Sequence, residues 1–208
     1  MLDTRDTMSA SVLAAAEVTS FTSSYVRKLK EAVDTIDHEA VSQAISALAA
    51  ARDEGRTIFV CGNGGSASTA SHFACDMVKG ASYQRTRRFR ILALTDPHPT
   101  ISAYSNDVNY ECVFVEQLKN FAAPGDLVMA ISGSGNSPNV ICALEYANSI
   151  GCNTIALTGR DGGKLGPLAK VQIRVAEPHM GRIEDGHMIA CHIMAYYFMD
   201  NAGPELIP

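Results

Sequence analysis

Short apolar runs alternate with helical patterns along most of the chain. The apolar runs predict five strands at residues 57–61, 90–94, 127–131, 154–157 and 171–175. The segments between them predict helices near residues 66–79, 99–104, 110–121 and 139–149, with a closing helix at 184–201. Continuous apolar strands that alternate with helices are typical of a parallel sheet covered on both faces. The pattern therefore predicts an α/β three-layer sandwich.

Two helical patterns precede the first strand. Small and apolar residues recur at spacings of three and four over residues 8–34, and a second apolar face, capped by Asp34 or Asp37, follows. We expect an antiparallel pair at about 8–54 that packs against another subunit, because a small sheet alone cannot cover both faces of the pair. With 47% apolar residues, the 208-residue chain is predicted to form one domain, with its α/β core at about 57–201.

Composition and charge exclude several classes of protein. No apolar stretch approaches membrane-spanning length, and the N-terminus lacks the basic-then-apolar order of a secretory signal. The net charge of −5 argues against nucleic acid as a partner, and the basic cluster at residues 85–90 is typical of a solvated loop. The six cysteines form no C-x-x-C pair and lie mostly in apolar segments, so we expect a reduced, cytoplasmic protein.

Two loops rich in glycine and serine follow the first and third predicted strands. They are Gly62-Asn63-Gly64-Gly65-Ser66 and Ser132-Gly133-Ser134-Gly135-Asn136-Ser137, and each precedes a predicted helix. Backbone N–H groups and hydroxyls converge at such a helix N-terminus, where the helix dipole also favours an anion. We interpret both loops as binding one phosphate monoester. The alternative is that the glycines only form tight turns.

Two commoner phosphate loops fit less well. Neither segment matches the nucleoside-triphosphate pattern G-x-x-x-x-G-K-[ST]. Gly62, Gly64 and Ala67 satisfy a loose dinucleotide pattern, which leaves a dinucleotide-binding oxidoreductase as a remote alternative. However, basic residues occupy the region where that motif needs an acidic one, namely Arg85, Arg87 and Arg88.

Two helices carry candidate chemistry. His72 and Asp76 are four residues apart, so they share one helical face. Glu184 and His192 are eight residues apart on the closing helix, close to two turns. Each pair offers an imidazole and a carboxylate, which suit a metal site or an acid/base pair. An isolated helical histidine is more often a packed or surface residue, but Ser66 is expected to cap the helix of His72 and so bring its imidazole near the phosphate.

Five separated motifs resemble one known family, the SIS (sugar isomerase) domain, and within it the phosphoheptose isomerase branch. The resemblance covers nearly the whole chain, and its motifs occur in the family's order. They are Gly62-Asn63-Gly64-Gly65-Ser66, His72-Phe73-Ala74, the segment from Ile131 to Ser137, the segment from Leu157 to Lys164, and Arg182-Ile183-Glu184-Asp185-Gly186-His187.

This resemblance implies a flavodoxin-like five-stranded parallel sheet in a homotetramer, with active sites where subunits meet. It implies conversion of sedoheptulose 7-phosphate to D-glycero-D-manno-heptose 7-phosphate through an enediol, with Asp76 and His192 as the catalytic residues. The implied phosphate contacts are Ser66, Ser132, Ser134 and Ser137. The other implied substrate contacts are Asn63, Gly64, Gly65, Asp96, Gly133 and Glu184. An implied zinc site uses His72, Asp76, Glu184 and His192.

The chain also departs from the family pattern. The family usually has glutamate at the position of Asp76 and glutamine at that of Glu184, and Gly80 and Gly181 stand where it has charged residues. Two carboxylates close together favour a divalent metal, since they would otherwise repel. These departures keep open an isomerase of another sugar phosphate in specialised sugar biosynthesis. A non-catalytic sugar-phosphate-binding or replication-initiator partner protein is the other alternative.

Overall fold

The computed structural model describes residues 15–201. Its α-helices are α1 (Ala15–Val33), α2 (His38–Asp53), α3 (Gly65–Cys75), α4 (His98–Asp107), α5 (Val115–Phe121), α6 (Pro138–Ser149) and α7 (Met180–Asp200). Its strands are β1 (Thr57–Gly62), β2 (Arg90–Ala93), β3 (Leu127–Ser132), β4 (Asn153–Gly159) and β5 (Val171–Val175). A π-helical segment, Asp76–Gly80, continues α3, and short 3₁₀ helices occupy Tyr110–Cys112 and Gly166–Leu168.

The five strands form one sheet in the order β2-β1-β3-β4-β5, and every pairing is parallel. This confirms the predicted parallel sheet. Successive side chains of a strand point to opposite faces, and β1 shows the consequence. Ile58 and Val60 join a buried cluster with α2, α3 and α7, whereas Phe59 and Cys61 join a second cluster with α5 and α6. The three-layer sandwich is therefore confirmed.

Several predicted boundaries differ from the structure. The helix predicted at 66–79 gives way to the π-helical segment at Asp76, and the helix predicted at 110–121 divides into a 3₁₀ turn and α5. The closing helix begins four residues earlier than predicted, at Met180. Asp37 caps α2, since its carboxylate accepts a hydrogen bond from the Glu39 N–H at 2.9 Å. The predicted residues 8–14 of the first helix lie outside the described residues.

Apolar side chains remain uncovered on α1. Val18 and Val26 are nearly half exposed, and Phe21 is 69% exposed. On α7, Ile193, Tyr196 and Tyr197 are exposed as well. No helix of the described residues combines the length and apolar composition that crossing a bilayer requires.

Candidate active site

Helices α3 and α7 lie side by side and run in the same direction. Three contacts join them and the segment that continues α3. Gly65 contacts Glu184, His72 contacts His192, and Gly80 contacts Met199. The sequence separation of the partners is nearly constant, at 119, 120 and 119 residues. A constant separation means that the two helices are parallel and rise by the same amount per residue. The side chains of α7 therefore meet those of α3 level by level.

The middle level brings His72, Asp76 and His192 together. The Nε2 atoms of the two imidazoles are 3.1 Å apart. The Asp76 Oδ2 atom lies 3.3 Å from His72 Nε2 and 3.8 Å from His192 Nε2. The imidazole side chains are 49% and 42% exposed, and the Asp76 side chain is 22% exposed. These three residues form a triad of proton-accepting groups that a substrate can reach.

The donor atoms of the triad fit a divalent metal ion. Each of the three residues offers one ligand atom, and these atoms all lie within 4.8 Å of one another. Zinc bound tetrahedrally with bonds of about 2.0–2.1 Å requires ligand atoms about 3.3 Å apart. The separations of 3.1, 3.3 and 3.8 Å are close to this value. Three protein ligands with an open fourth position are the usual arrangement of catalytic zinc sites.

Glu184 lies apart from the triad. A methyl group added at Gly65 would lie 2.5 Å from the Glu184 carboxylate, so this carboxylate rests against the first turn of α3. That turn precedes His72 by seven residues, or about 10 Å of helix. The N-terminal end of a helix attracts negative charge, which explains the placement. Of the four predicted zinc ligands, the structure brings together three and leaves Glu184 at the glycine loop.

The loop after β3 gathers three serine hydroxyls. The Ser132 Oγ atom lies 3.0 Å from Ser137 Oγ and 3.4 Å from Ser134 Oγ. Ser137 is the N-cap residue of α6, and its hydroxyl makes no capping hydrogen bond. Ser134 accepts a hydrogen bond from the Asn136 N–H at 3.1 Å. Hydroxyls gathered at a helix N-terminus can donate together to one anion.

A loop that follows β4 supports these serines. Gly135 has a φ of +65° and lies so close to Gly162 that a side chain at Gly135 would overlap the Gly162 carbonyl. The Leu165 N–H donates to the Gly135 carbonyl at 2.9 Å. The Lys164 N–H donates to the side-chain carbonyl of Asn136 at 3.2 Å. The sequence identified this loop as part of a family motif but assigned no site residue to it, although the pair Gly162-Gly163 indicated close backbone packing.

The loop after β1 is organised differently from the expectation. The N-cap of α3 is Gly64, with a φ of +55°, so the predicted Ser66 cap is wrong, although Ser66 is buried in the first turn. The side-chain amides of Asn63 and Asn139 exchange hydrogen bonds of 2.8 and 2.9 Å. The Tyr110 hydroxyl also donates to Asn63 at 2.8 Å. Asn63 thus joins the two serine-containing loops, and sequence reasoning missed Asn139 and Tyr110.

The remaining predicted contacts lie near these loops. Asp96 is exposed and accepts a hydrogen bond from the Ser71 hydroxyl. Because Ser71 directly precedes His72, its side chain leaves α3 about 100° around the axis from the triad. Gly133 lies beneath Met180 and Ile183 of α7, where a methyl group would meet the Met180 sulfur at 2.5 Å.

Comparisons with known proteins agree with this architecture. The model of the SIS domain family matches residues 21–159. The phosphoheptose isomerase of Citrifermentans bemidjiense is 40% identical over 155 residues, which cover 74% of this chain and 80% of that protein. The phosphoheptose isomerase of Aliarcobacter butzleri is 43% identical over 139 residues, 66% of this chain and 72% of that protein. The structure of phosphoheptose isomerase GmhA from Neisseria gonorrhoeae superposes with a TM-score of 0.80 at 32% identity, covering 89% of this chain and 98% of that one.

Proposed function

Because the chain belongs to the SIS domain family, in its phosphoheptose isomerase branch, we propose that it converts sedoheptulose 7-phosphate to D-glycero-D-manno-heptose 7-phosphate. The observation that carries this proposal is that the protein has both the triad of His72, Asp76 and His192 and a loop of three serine hydroxyls. An aldose–ketose isomerase needs both parts. Proton transfer takes place at one end of the sugar, and binding energy from the phosphate holds the other end.

We assign the phosphate to the loop of Ser132, Ser134 and Ser137. The loop after β1 is a poorer place for a dianion, because the Glu184 carboxylate already rests against Gly65 there. Two negative groups a few ångströms apart repel each other strongly in a partly buried site. Ser66 is the predicted contribution of the first loop to phosphate binding. The other predicted contacts then bind the sugar or shape the loops around it. They are Glu184, Asn63, Gly64, Gly65, Gly133 and Asp96.

Isomerisation moves a proton between C1 and C2 through an enediol. We assign Asp76 and His192 as the two groups that transfer protons, since their side chains come from different helices and meet at one point. A carboxylate and a neutral imidazole can each accept a proton from carbon and return it to the neighbouring carbon or oxygen. His72 contacts both groups and orients them.

We further propose that His72, Asp76 and His192 bind zinc. When bound, zinc supplies Lewis-acid polarisation of a carbonyl oxygen. A nitrogen bonded to an ion has no lone pair left for a proton, so His192 transfers protons through Nε2 only in the metal-free protein. If zinc were bound, Asp76 would be the remaining proton-transfer group of the two. Turnover measured with added zinc and with a chelator therefore reports which group is essential in each form.

The uncovered apolar residues of α1 and α7 support assembly into a homotetramer. A helix with Phe21 69% exposed gains free energy when another subunit covers it. Light scattering after size-exclusion chromatography tests this, and a monomer at micromolar concentration would contradict it. We place the protein in the cytoplasm, since all six cysteines are free thiols, as expected of a reducing compartment.

A panel of ketose phosphates from five to eight carbons tests the function. We expect the highest kcat/KM with sedoheptulose 7-phosphate, and a loss of turnover in Asp76→Asn and His192→Gln. His98→Gln, which changes an exposed histidine at the start of α4, is the matched control and should keep full activity.

Two outcomes of the panel would redirect the proposal. A preference for a shorter sugar would favour the alternative of a different sugar-phosphate isomerase, for which the carboxylate of Glu184 at the glycine loop is the supporting observation. Binding of sugar phosphates without turnover of any would favour a non-catalytic binding protein. Full activity in both Asp76→Asn and His192→Gln would remove the catalytic assignment.

A further inference from the structure

The first turns of α7 contact the ends of three neighbouring strands or the loops that follow them. Ile183 lies against Gly133 and Gly159, which belong to the ends of β3 and β4. Glu184 lies against Gly65, after β1. One turn later, His187 reaches the backbone of Thr158 in β4. These three side chains, together with Met180 over Gly133, therefore fix the position of α7 relative to the substrate-binding loops.

His187 is the polar member of this set that is completely buried, with 0% exposure. Its Nε2 atom lies 2.9 Å from the Thr158 carbonyl oxygen. A carbonyl only accepts, so the proton is on Nε2 and the Nδ1 atom is an acceptor. Among the described residues, the buried side-chain nitrogens without a partner are His187 Nδ1 and Arg182 Nε. Burial lowers the pKa of His187 to about 4, so the imidazole is neutral at neutral pH.

Thr158 lies directly beside the serine loop. In the sheet register Thr158 is the partner of Ser132, the first serine of that loop. The next residue, Gly159, is so close to the Gly133 carbonyl that an added methyl group would lie 2.6 Å from its oxygen. Any shift of Thr158 therefore moves Ser132 and Gly133 as well.

We propose that His187 is a positioning residue for phosphate binding, whose Nε2–H fixes Thr158 and thereby places Ser132 and Gly133 relative to α7. The inference rests on the proposed function, in which this loop holds the phosphate of the substrate. His187 itself does not contact the reacting atoms. It acts through the strand end that it holds, so its effect falls on binding of the phosphate and not on proton transfer.

Two substitutions separate the hydrogen bond from the packing. His187→Leu fills the space of the imidazole with an apolar side chain and removes the Nε2–H donor. His187→Gln keeps an N–H donor at a similar distance from the backbone. We expect His187→Leu to raise the KM for sedoheptulose 7-phosphate and the Kd for inorganic phosphate about three- to tenfold, the range that one neutral hydrogen bond supplies. The kcat should stay within about twofold, and His187→Gln should restore both constants.

Controls keep the test independent of folding and of turnover. Met188→Leu, at a partly buried neighbour on α7, should change neither constant. If His187→Leu does not fold, as judged by thermal unfolding, His187→Asn takes its place, because its shorter amide cannot reach Thr158. An unchanged Kd for inorganic phosphate in the donor-free variant, or equal losses with His187→Gln, would overturn the inference. Phosphate binding is measured without catalysis, so an inactive wild-type protein would contradict the proposed function and still leave this test valid.

Discussion

Resistance to urea should decrease in mild acid because of the buried His187. Burial lowers the pKa of this imidazole from 6.5 to about 4 in the folded protein. Between these two values the unfolded chain binds a proton that the folded chain does not, so acid favours unfolding. The contribution is fully present above about pH 6.5 and is lost as the pH falls towards 4. Each unit in this window costs about 1.4 kcal/mol, so lowering the pH from about 7.5 to about 5.0 should cost about 2 kcal/mol.

Comparison with the variant His187→Leu separates the contribution of His187 to stability from that of all other titrating groups. Because the chain contains no tryptophan, urea unfolding is followed by far-ultraviolet circular dichroism, at one protein concentration, since assembly would also change the apparent stability. The free energy of unfolding of the wild type relative to the variant should fall by about 2 kcal/mol between the two pH values. If the free energies of unfolding of the two proteins changed equally with pH, His187 would not be a buried imidazole that stays neutral in the folded protein.

Two further predictions concern the metal ligands and the thiols. His72→Ala should weaken zinc binding by about a hundredfold or more, because even residues that only support a metal ligand contribute ten- to hundredfold to metal affinity. Calorimetric titration of zinc into this variant and into the control His98→Gln measures the difference. Equal zinc affinities of the two variants would exclude the triad as the binding site. Cys75 is exposed and should react with a thiol reagent in the native protein. Cys61 and Cys191 should react only after denaturation, because both are buried and burial raises the pKa of each thiol. Mass spectrometry locates the label, and labelling of native Cys61 at the rate of Cys75 would contradict the described burial.

The sequence was sufficient for the sheet because its three central strands, β1, β3 and β4, are buried on both faces. Val171–Val175 has the predicted bounds, and β1 and β3 differ from the prediction by one residue at an end. The π-helical segment at Asp76–Gly80 was not predicted, since one turn of it differs from an α-helix by less than one residue in period. It ends at Gly80, where a side chain would overlap Met199 of α7. Such a contact depends on the packing of two helices far apart in sequence.

The candidate site was predictable in its residue types and less so in its grouping. His72 and Asp76 share a face because four residues is nearly one turn, and the structure confirms their contact. Eight residues amount to about 80° more than two turns, so the spacing of Glu184 and His192 did not establish that they meet. The constant offset between α3 and α7 decides the grouping instead. It places His192 at the triad and Glu184 at Gly65, two turns of helix away.

His192→Gln and Ser137→Ala should change different kinetic constants in the turnover of sedoheptulose 7-phosphate. In the metal-free protein, where His192 transfers protons, the histidine variant should lose about a hundredfold or more in kcat, the usual contribution of a general acid or base, with little change in KM. The serine variant should keep most of its kcat and raise KM about ten- to hundredfold, through loss of a hydrogen bond to the charged phosphate. Wild-type kcat in His192→Gln would contradict the claim that residues of two parallel helices transfer the proton while a separate serine loop holds the substrate.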